Sequence, residues 1–282
     1  MRKSIIMYRG YSISKREIEC YFNVFERNSN FYVPYEKFLN ESVNKNLSKF
    51  REMVEGKVLD AEIIQKDWFP EINAHVFISH SHADIFLAKR FAGWLYQRFG
   101  IVSFIDSCVW GYADDLLKKL DDKYCKKLYN SHNYDQNNLN FYDYDLRNSS
   151  TAHVHMMLMT ALNKMIDKTE CVFFINTPNS NIGNGGNPIT KSPWIYGEIE
   201  TSRLIKKKYP ERDGIEYKKG GEILFEGKKI DMIYPLDMGH FYSLNSVHLL
   251  KWKGNMIKFD SNKKPLRALD ELYNITPKKT II

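Results

Sequence analysis

From about residue 73 onward, short apolar runs alternate with stripes at helical spacing. His75 to Ser79 forms a compact apolar run, and it gives way to a pattern in which Leu87, Phe91, Trp94 and Leu95 share one helical face up to Gly100. Ile101 to Asp106 reads as a second buried strand. Val154, Met157, Leu158, Ala161, Leu162 and Met165 then mark a helix opened by the capping residues Ser149, Ser150 and Thr151. Cys171 to Ile175 is a third buried strand, Trp194 to Lys208 a helix with Pro193 at its start, and Ile230 to Leu236 a fourth strand. Strands alternating with helices imply an α/β domain built on a parallel sheet covered on both faces.

Residues 1–72 read differently. Tyr35 to Val54 can line Phe38, Val43, Leu47, Phe50 and Val54 along one helical face, and Pro70 disfavours helix at Phe69. The expected organisation is an N-terminal helical extension over 1–72 and an α/β domain over 73–282. An inserted segment at about 107–150 interrupts that domain, with a helix in ADDLLKKLDDKYC and then an Asn, Tyr and Asp-rich stretch. A hairpin is expected around Glu226 and Gly227.

Composition changes this picture little. Against 34 acidic residues stand 41 Lys and Arg, a formal charge of +7, but the basic residues are spread out and no recognition motif accompanies them, so nucleic-acid binding is not expected. Lys206, Lys207 and Lys208 end a helix, where positive charge complements the macrodipole. The 4 cysteines, Cys20, Cys108, Cys125 and Cys171, lack CxxC spacing, and reduced thiols are expected. The opening MRKSIIMYRG has too short an apolar run for a signal peptide, and no window reaches membrane-span length; a cytoplasmic location with no membrane partner is expected.

In a doubly wound sheet ligands bind outside the carboxyl ends of the strands, so the informative loops follow Ser79, Asp106 and Ile175. The first reads HSHAD, with His80, Ser81, His82 and Asp84. The second, DSCVWGYADD, carries Asp106 and Trp110. The third, TPNSNIGNGGNPITKSP, leads into WIYGE with Trp194 and Glu198. His80 and His82 either orient phosphate or ribose or act as loop-capping donors. Trp110 either stacks on a ligand ring or packs under the insertion. The NIGNGG glycines lack a phosphate-loop lysine and read as flexibility. No third metal ligand follows the histidines at a recognisable spacing, so no metal is expected.

VFISHSHAD, then FID, then TALNKMID running into ECVFFIN, then SPWIYGEIE, resembles the motif order of bacterial TIR (Toll/interleukin-1 receptor) domains of the Thoeris-like antiphage type. The resemblance covers roughly His75 to Arg203 and continues weakly through IYPLD and LRALDELY. It implies a flavodoxin-like doubly wound sheet. It also implies an NAD glycohydrolase or cyclase that cleaves the nicotinamide–ribose bond, with NAD as substrate and no further cofactor. Glu198 stands where that family carries its catalytic glutamate. His80, Ser81, His82, Asp106, Trp110 and Trp194 would line the nucleotide site. The product, an ADP-ribose derivative in linear or cyclic form, would activate a downstream effector, and the chain could form a homo-oligomer.

Helix geometry sharpens the choice of glutamate. Trp194 and Glu198 share a face, whereas Glu200 is turned about 200° from Glu198 and cannot face the same pocket. Against the catalytic Glu198 stands a solvated helix glutamate, and against the enzyme stand a non-catalytic TIR-like protein-interaction adaptor and another nucleoside-processing enzyme on a similar sheet.

Overall fold

A computed structural model describes residues 9–27, 31, 61–69, 71–105, 107–126, 142–183, 187–205, 234–257 and 264–276, without the side chains of 62, 63, 66, 67 and 107–112. Among the described residues no helix is long and apolar enough to cross a membrane. The chain divides into two units, one of 1–43, 72–106 and 162–282, the other of 44–71 and 107–161.

The first unit is built on a five-stranded, all-parallel sheet. Its first strand lies where a helical extension is expected: β1 (Arg9–Ser14) pairs on one side with β4 (Cys171–Asn176) and on the other with β7 (Phe241–Leu244). β2 (Val76–Ser79) lies between β3 (Ser103–Ile105) and β4, giving the order β3-β2-β4-β1-β7. Counted from β2, the strands stand second, first, third, then β1, then last. That is compatible with a flavodoxin-like order whose fourth place is filled from the N-terminal strand.

The extension reading of 1–72 is therefore corrected for its first part. RGYSIS alternates, with Tyr11 and Ile13 wholly buried. Gly10 is required by its neighbour across the pair, because a Cβ there would come within 3.0 Å of the Phe241 ring. Ser14 then caps α1 (Lys15–Phe25), its hydroxyl accepting the Glu17 N–H. The amphipathic stretch over 35–54 and the hairpin around Glu226 lie outside the described residues.

A second correction concerns the expected fourth strand. Residues 230–233 lie outside the described residues, and β6 (Tyr234–Pro235) pairs antiparallel with β5 (Ile189–Thr190) in a separate two-stranded sheet. Pro235 has no N–H to give a central ladder, so IYPLD suits a short edge.

The remaining helices follow from their own punctuation. α3 (Ile85–Phe99) ends at Gly100, which adopts the left-handed conformation at φ 71°. α6 (Pro193–Leu204) begins with Ser192 as cap and Pro193 in the first turn. After β7 come α7 (Ser246–Ile257) and α8 (Pro265–Ile275). An aromatic core joins helices to sheet: the rings of Phe99 and Trp252 stack at 4.3 Å, Trp94 meets Trp252 edge-on at 5.7 Å, and Tyr11 stacks on Phe173 at 5.6 Å. Arg9 donates to the Thr276 carbonyl at 2.8 Å, so the first strand holds the end of the last helix.

The second unit joins the later part of the expected extension to the insertion. It contains α2 (Ala61–Trp68), α4 (Ser107–Leu120), a π-helical turn at Asp121–Cys125, and the first part of α5 (Tyr144–Lys168). Gln65 donates to the Met157 carbonyl at 3.0 Å, and the Lys119 ammonium lies 4.7 Å from the Trp68 ring centroid. α5 starts five residues before Ser149, because the Asp143 carboxylate accepts the N–H groups of Asp145 and Leu146 and caps the helix there. Buried Asp121 receives the Ser150 hydroxyl at 2.5 Å and the Arg147 guanidinium at 3.1 Å.

Candidate functional site

In this parallel sheet the strand sequence reverses between β2 and β4, and the loops leaving their carboxyl ends frame the place where open parallel sheets take ligands. The β2 loop carries His80, Ser81 and His82. His80 is buried and its Nδ1 lies 3.4 Å from the Ile78 carbonyl, a contact that turns the ring back along its own strand. Ser81 is half-buried and His82 exposed, at the start of a single 3-10 turn over His82–Asp84. The two histidines thus occupy different environments.

The β4 loop is more ordered than a flexible glycine-rich linker. Its first turn is closed on itself: the Thr177 N–H donates to Ser180 Oγ at 2.9 Å, and Ser180 Oγ donates to the Ile175 carbonyl at 2.9 Å. Farther along, Asn181 Oδ1 accepts the N–H groups of Gly183 and Ile189 at 3.1 and 3.0 Å, and Ile182 donates to the Ile189 carbonyl at 2.8 Å. Gly183 is there for space, since a Cβ would lie 1.9 Å from the Asn187 carbonyl oxygen. The flexibility expected of NIGNGG does not apply at that position; 184–186 lie outside the described residues.

This loop delivers the chain through β5 to α6, whose start is set by Ser192 Oγ accepting the Ile195 N–H at 3.2 Å. On α6, Glu198 is 1% exposed. Trp194, one turn earlier on the same face, is partly exposed, and Ser202, one turn later, is buried. Glu200 lies elsewhere: Arg203 Nη2 and Nε donate to its Oε2 at 2.5 and 3.1 Å. Hydrogen bonding and charge from Glu200 push the Arg203 pKa upward. Tyr196, on the Glu200 side, stacks on Tyr234 at 4.8 Å. Two glutamates two residues apart therefore have different fates, one ion-paired and one shielded from water.

A turn before β7 supports the far end of α6. Ser202 Oγ donates to the Ile199 carbonyl at 2.7 Å and lies 2.8 Å from His240 Nε2, so with its own proton committed the hydroxyl accepts from His240. Arg203 reaches Asp237 of the same turn at 3.9 Å. Thr201 donates to Asn163 of α5 at 2.8 Å. His240 had no motif to mark it, and only the fold brings it beside α6.

Of the residues singled out from sequence, His80, Ser81, His82, Trp194 and Glu198 all belong to the first unit. Asp106 lies outside the described residues. Trp110 lies on α4 in the second unit, with its side chain outside the described residues. Among the described residues no three His, Cys, Asp or Glu side chains converge as a metal site requires. Comparison of the chain with family models, with curated proteins and with solved structures yields no match.

Proposed function

We propose that the chain is a TIR-type NAD glycohydrolase or cyclase in which Glu198 is the catalytic residue. The observation that carries this reading is the separation of Glu198 from Glu200: the first is buried on the face it shares with Trp194, the second is held by Arg203. The parallel sheet and the pinned β4 loop support it, because they deliver α6 from the carboxyl side of the sheet, where ligands of such folds bind.

The chemistry asks little of the protein. The ribose C1–N bond breaks with its electron pair passing to the nicotinamide ring nitrogen, which loses its positive charge, so no general acid is needed for departure. A carboxylate shielded from water stabilises the oxocarbenium character that develops on the ribose. Water adding at C1 gives ADP-ribose and releases one proton; a nucleophile within the same molecule gives a cyclic isomer and releases one proton likewise. Trp194, the partly exposed member of the face, offers a ring on which a base can stack. The product would act as a signal for a downstream effector in antiphage defence.

Purified protein incubated with NAD, alone and with phage-derived triggers, should release nicotinamide, separable by liquid chromatography. Glu198→Ala should release none. Absence of nicotinamide under every condition, with the folded protein present, rejects the proposal.

A further inference from the structure

The loops leaving β2 and β4 are joined by a side-chain strap that none of the site residues above includes. Asp84, 6% exposed, closes the 3-10 turn after β2, its N–H donating to the Ser81 carbonyl at 2.8 Å. Both of its carboxylate oxygens are engaged from the β4 loop: the Thr177 hydroxyl donates to Oδ2 at 2.5 Å, and the Asn179 amide donates to Oδ1 at 3.0 Å. Thr177 Oγ1, its proton committed to Asp84, accepts the N–H groups of Asn179 and Ser180 at 3.1 and 3.2 Å. The carboxylate therefore sets the shape of the β4 turn as well as its distance from the β2 loop.

The place of this strap gives it a consequence. β2 and β4 are neighbours with Ser79 opposite Phe174, so Asp84 and Thr177 span the point where the strand order reverses. The strap therefore ties together the two loops that frame the crevice. We infer that Asp84 is a positioning residue that fixes the spacing of the β2 and β4 loops for nucleotide binding, acting through Thr177 and Asn179 without touching the reacting atoms.

This inference rests on the NAD-cleaving reading, and it assigns Asp84 a different kinetic signature from that of Glu198. α6 is held from elsewhere by Thr201 on Asn163 of α5 and by His240 on Ser202, so loosening the strap should leave the catalytic glutamate in place. Loss of an interaction that serves ground state and transition state alike raises KM and spares kcat.

Three proteins with Glu198 intact make the test: wild type, Asp84→Asn, and the exchange Asp84→Asn with Asn179→Asp. The single variant puts two amides face to face. The exchange restores one carboxylate and one amide across the strap, with the residue-84 carbonyl oxygen still accepting from Thr177. Steady-state nicotinamide release should show KM for NAD raised about tenfold in Asp84→Asn, the loss of one charge-assisted contact, with kcat within about twofold. The exchange should bring KM back to within about threefold of wild type. An unchanged KM in Asp84→Asn, or an exchange no better than the single variant, overturns the inference while nicotinamide release by wild type leaves the NAD reading standing. A wild type that folds and never cleaves NAD removes both.

Discussion

The Glu17 carboxylate accepts the backbone N–H of Ser246 at 2.7 Å, so a residue in the first turn of α1 caps the start of α7. The same glutamate stands three residues after the α1 cap, Ser14, where a capping box would have it reach back along its own helix. Here it serves a neighbouring helix and ties the carboxyl ends of β1 and β7 together.

The Ser246 N–H holds the Glu17 pKa below the ordinary carboxylate range, with smaller help from Arg16 and His248. A depressed carboxylate contributes stability above its unfolded pKa and loses it as pH falls through the folded value. Glu17→Gln should cost about 0.5–1 kcal/mol in urea unfolding at pH 7, the low end of capping effects because the group is partly exposed. The difference from wild type should shrink as the pH drops below the normal carboxylate range. A gap that persists in acid would show that charge is not its origin.

His75 gives the opposite group with the same direction of pH dependence. Burial lowers its pKa, and the Val102 N–H, which donates to Nδ1 at 3.1 Å and requires a lone pair there, favours the neutral ring as well. The unfolded chain binds the proton more readily, so stability is full above the ordinary histidine pKa and falls as pH drops from about 6.5 toward the lowered folded value. His75→Asn keeps an acceptor and removes the titration. Urea midpoints at pH 7.5 and 5.5 should fall further for wild type than for His75→Asn; equal falls would assign the dependence to other groups, His248 among them.

β1 sits between two partners, and its loss should be felt throughout the sheet. A chain starting at residue 73 lacks this interior strand and should not give a cooperative unfolding transition. Gly10→Val is the milder form of the same test. Its side chain presses on the Phe241 ring and should destabilise by about 1–3 kcal/mol, measured by chemical denaturation. A stable 73–282 fragment would return residues 1–72 to the status of an appendage.

These elements also show what could be read from the chain. The apolar runs VFIS, SFI and CVFFIN are buried on both faces and are legible because a parallel strand covered on both faces has no polar side. β1 carries only Tyr11 and Ile13 as apolar signals, between Arg9, Gly10, Ser12 and Ser14, and its polar alternation hid an interior position. Period-two spacing of Tyr11 and Ile13 followed by Ser14 and Glu17 was the signal that could have found it. Similarly, Tyr234 and Pro235 have strand character, but only pairing decides which sheet takes them.

At the site, the separation of Glu198 from Glu200 was legible, because a helix turns about 100° per residue and two positions apart cannot share a face. The partner that holds Glu200, three residues on, was also within reach of sequence. His240 on Ser202 and Asp84 on Thr177 were not, because these contacts join residues 38 and 93 positions apart.

The central claim is that Glu198 and no neighbouring carboxylate carries the chemistry, and paired substitutions test it most directly. Glu198→Gln and Glu200→Gln, assayed side by side for initial rates of nicotinamide release from NAD, differ only in which glutamate loses its charge. Glu198→Gln should lower kcat by at least about 10²-fold, as removal of a group stabilising transition-state charge does, with Glu200→Gln within about threefold of wild type. Equal rates for Glu198→Gln and wild type, or equal losses in both variants, would contradict the account.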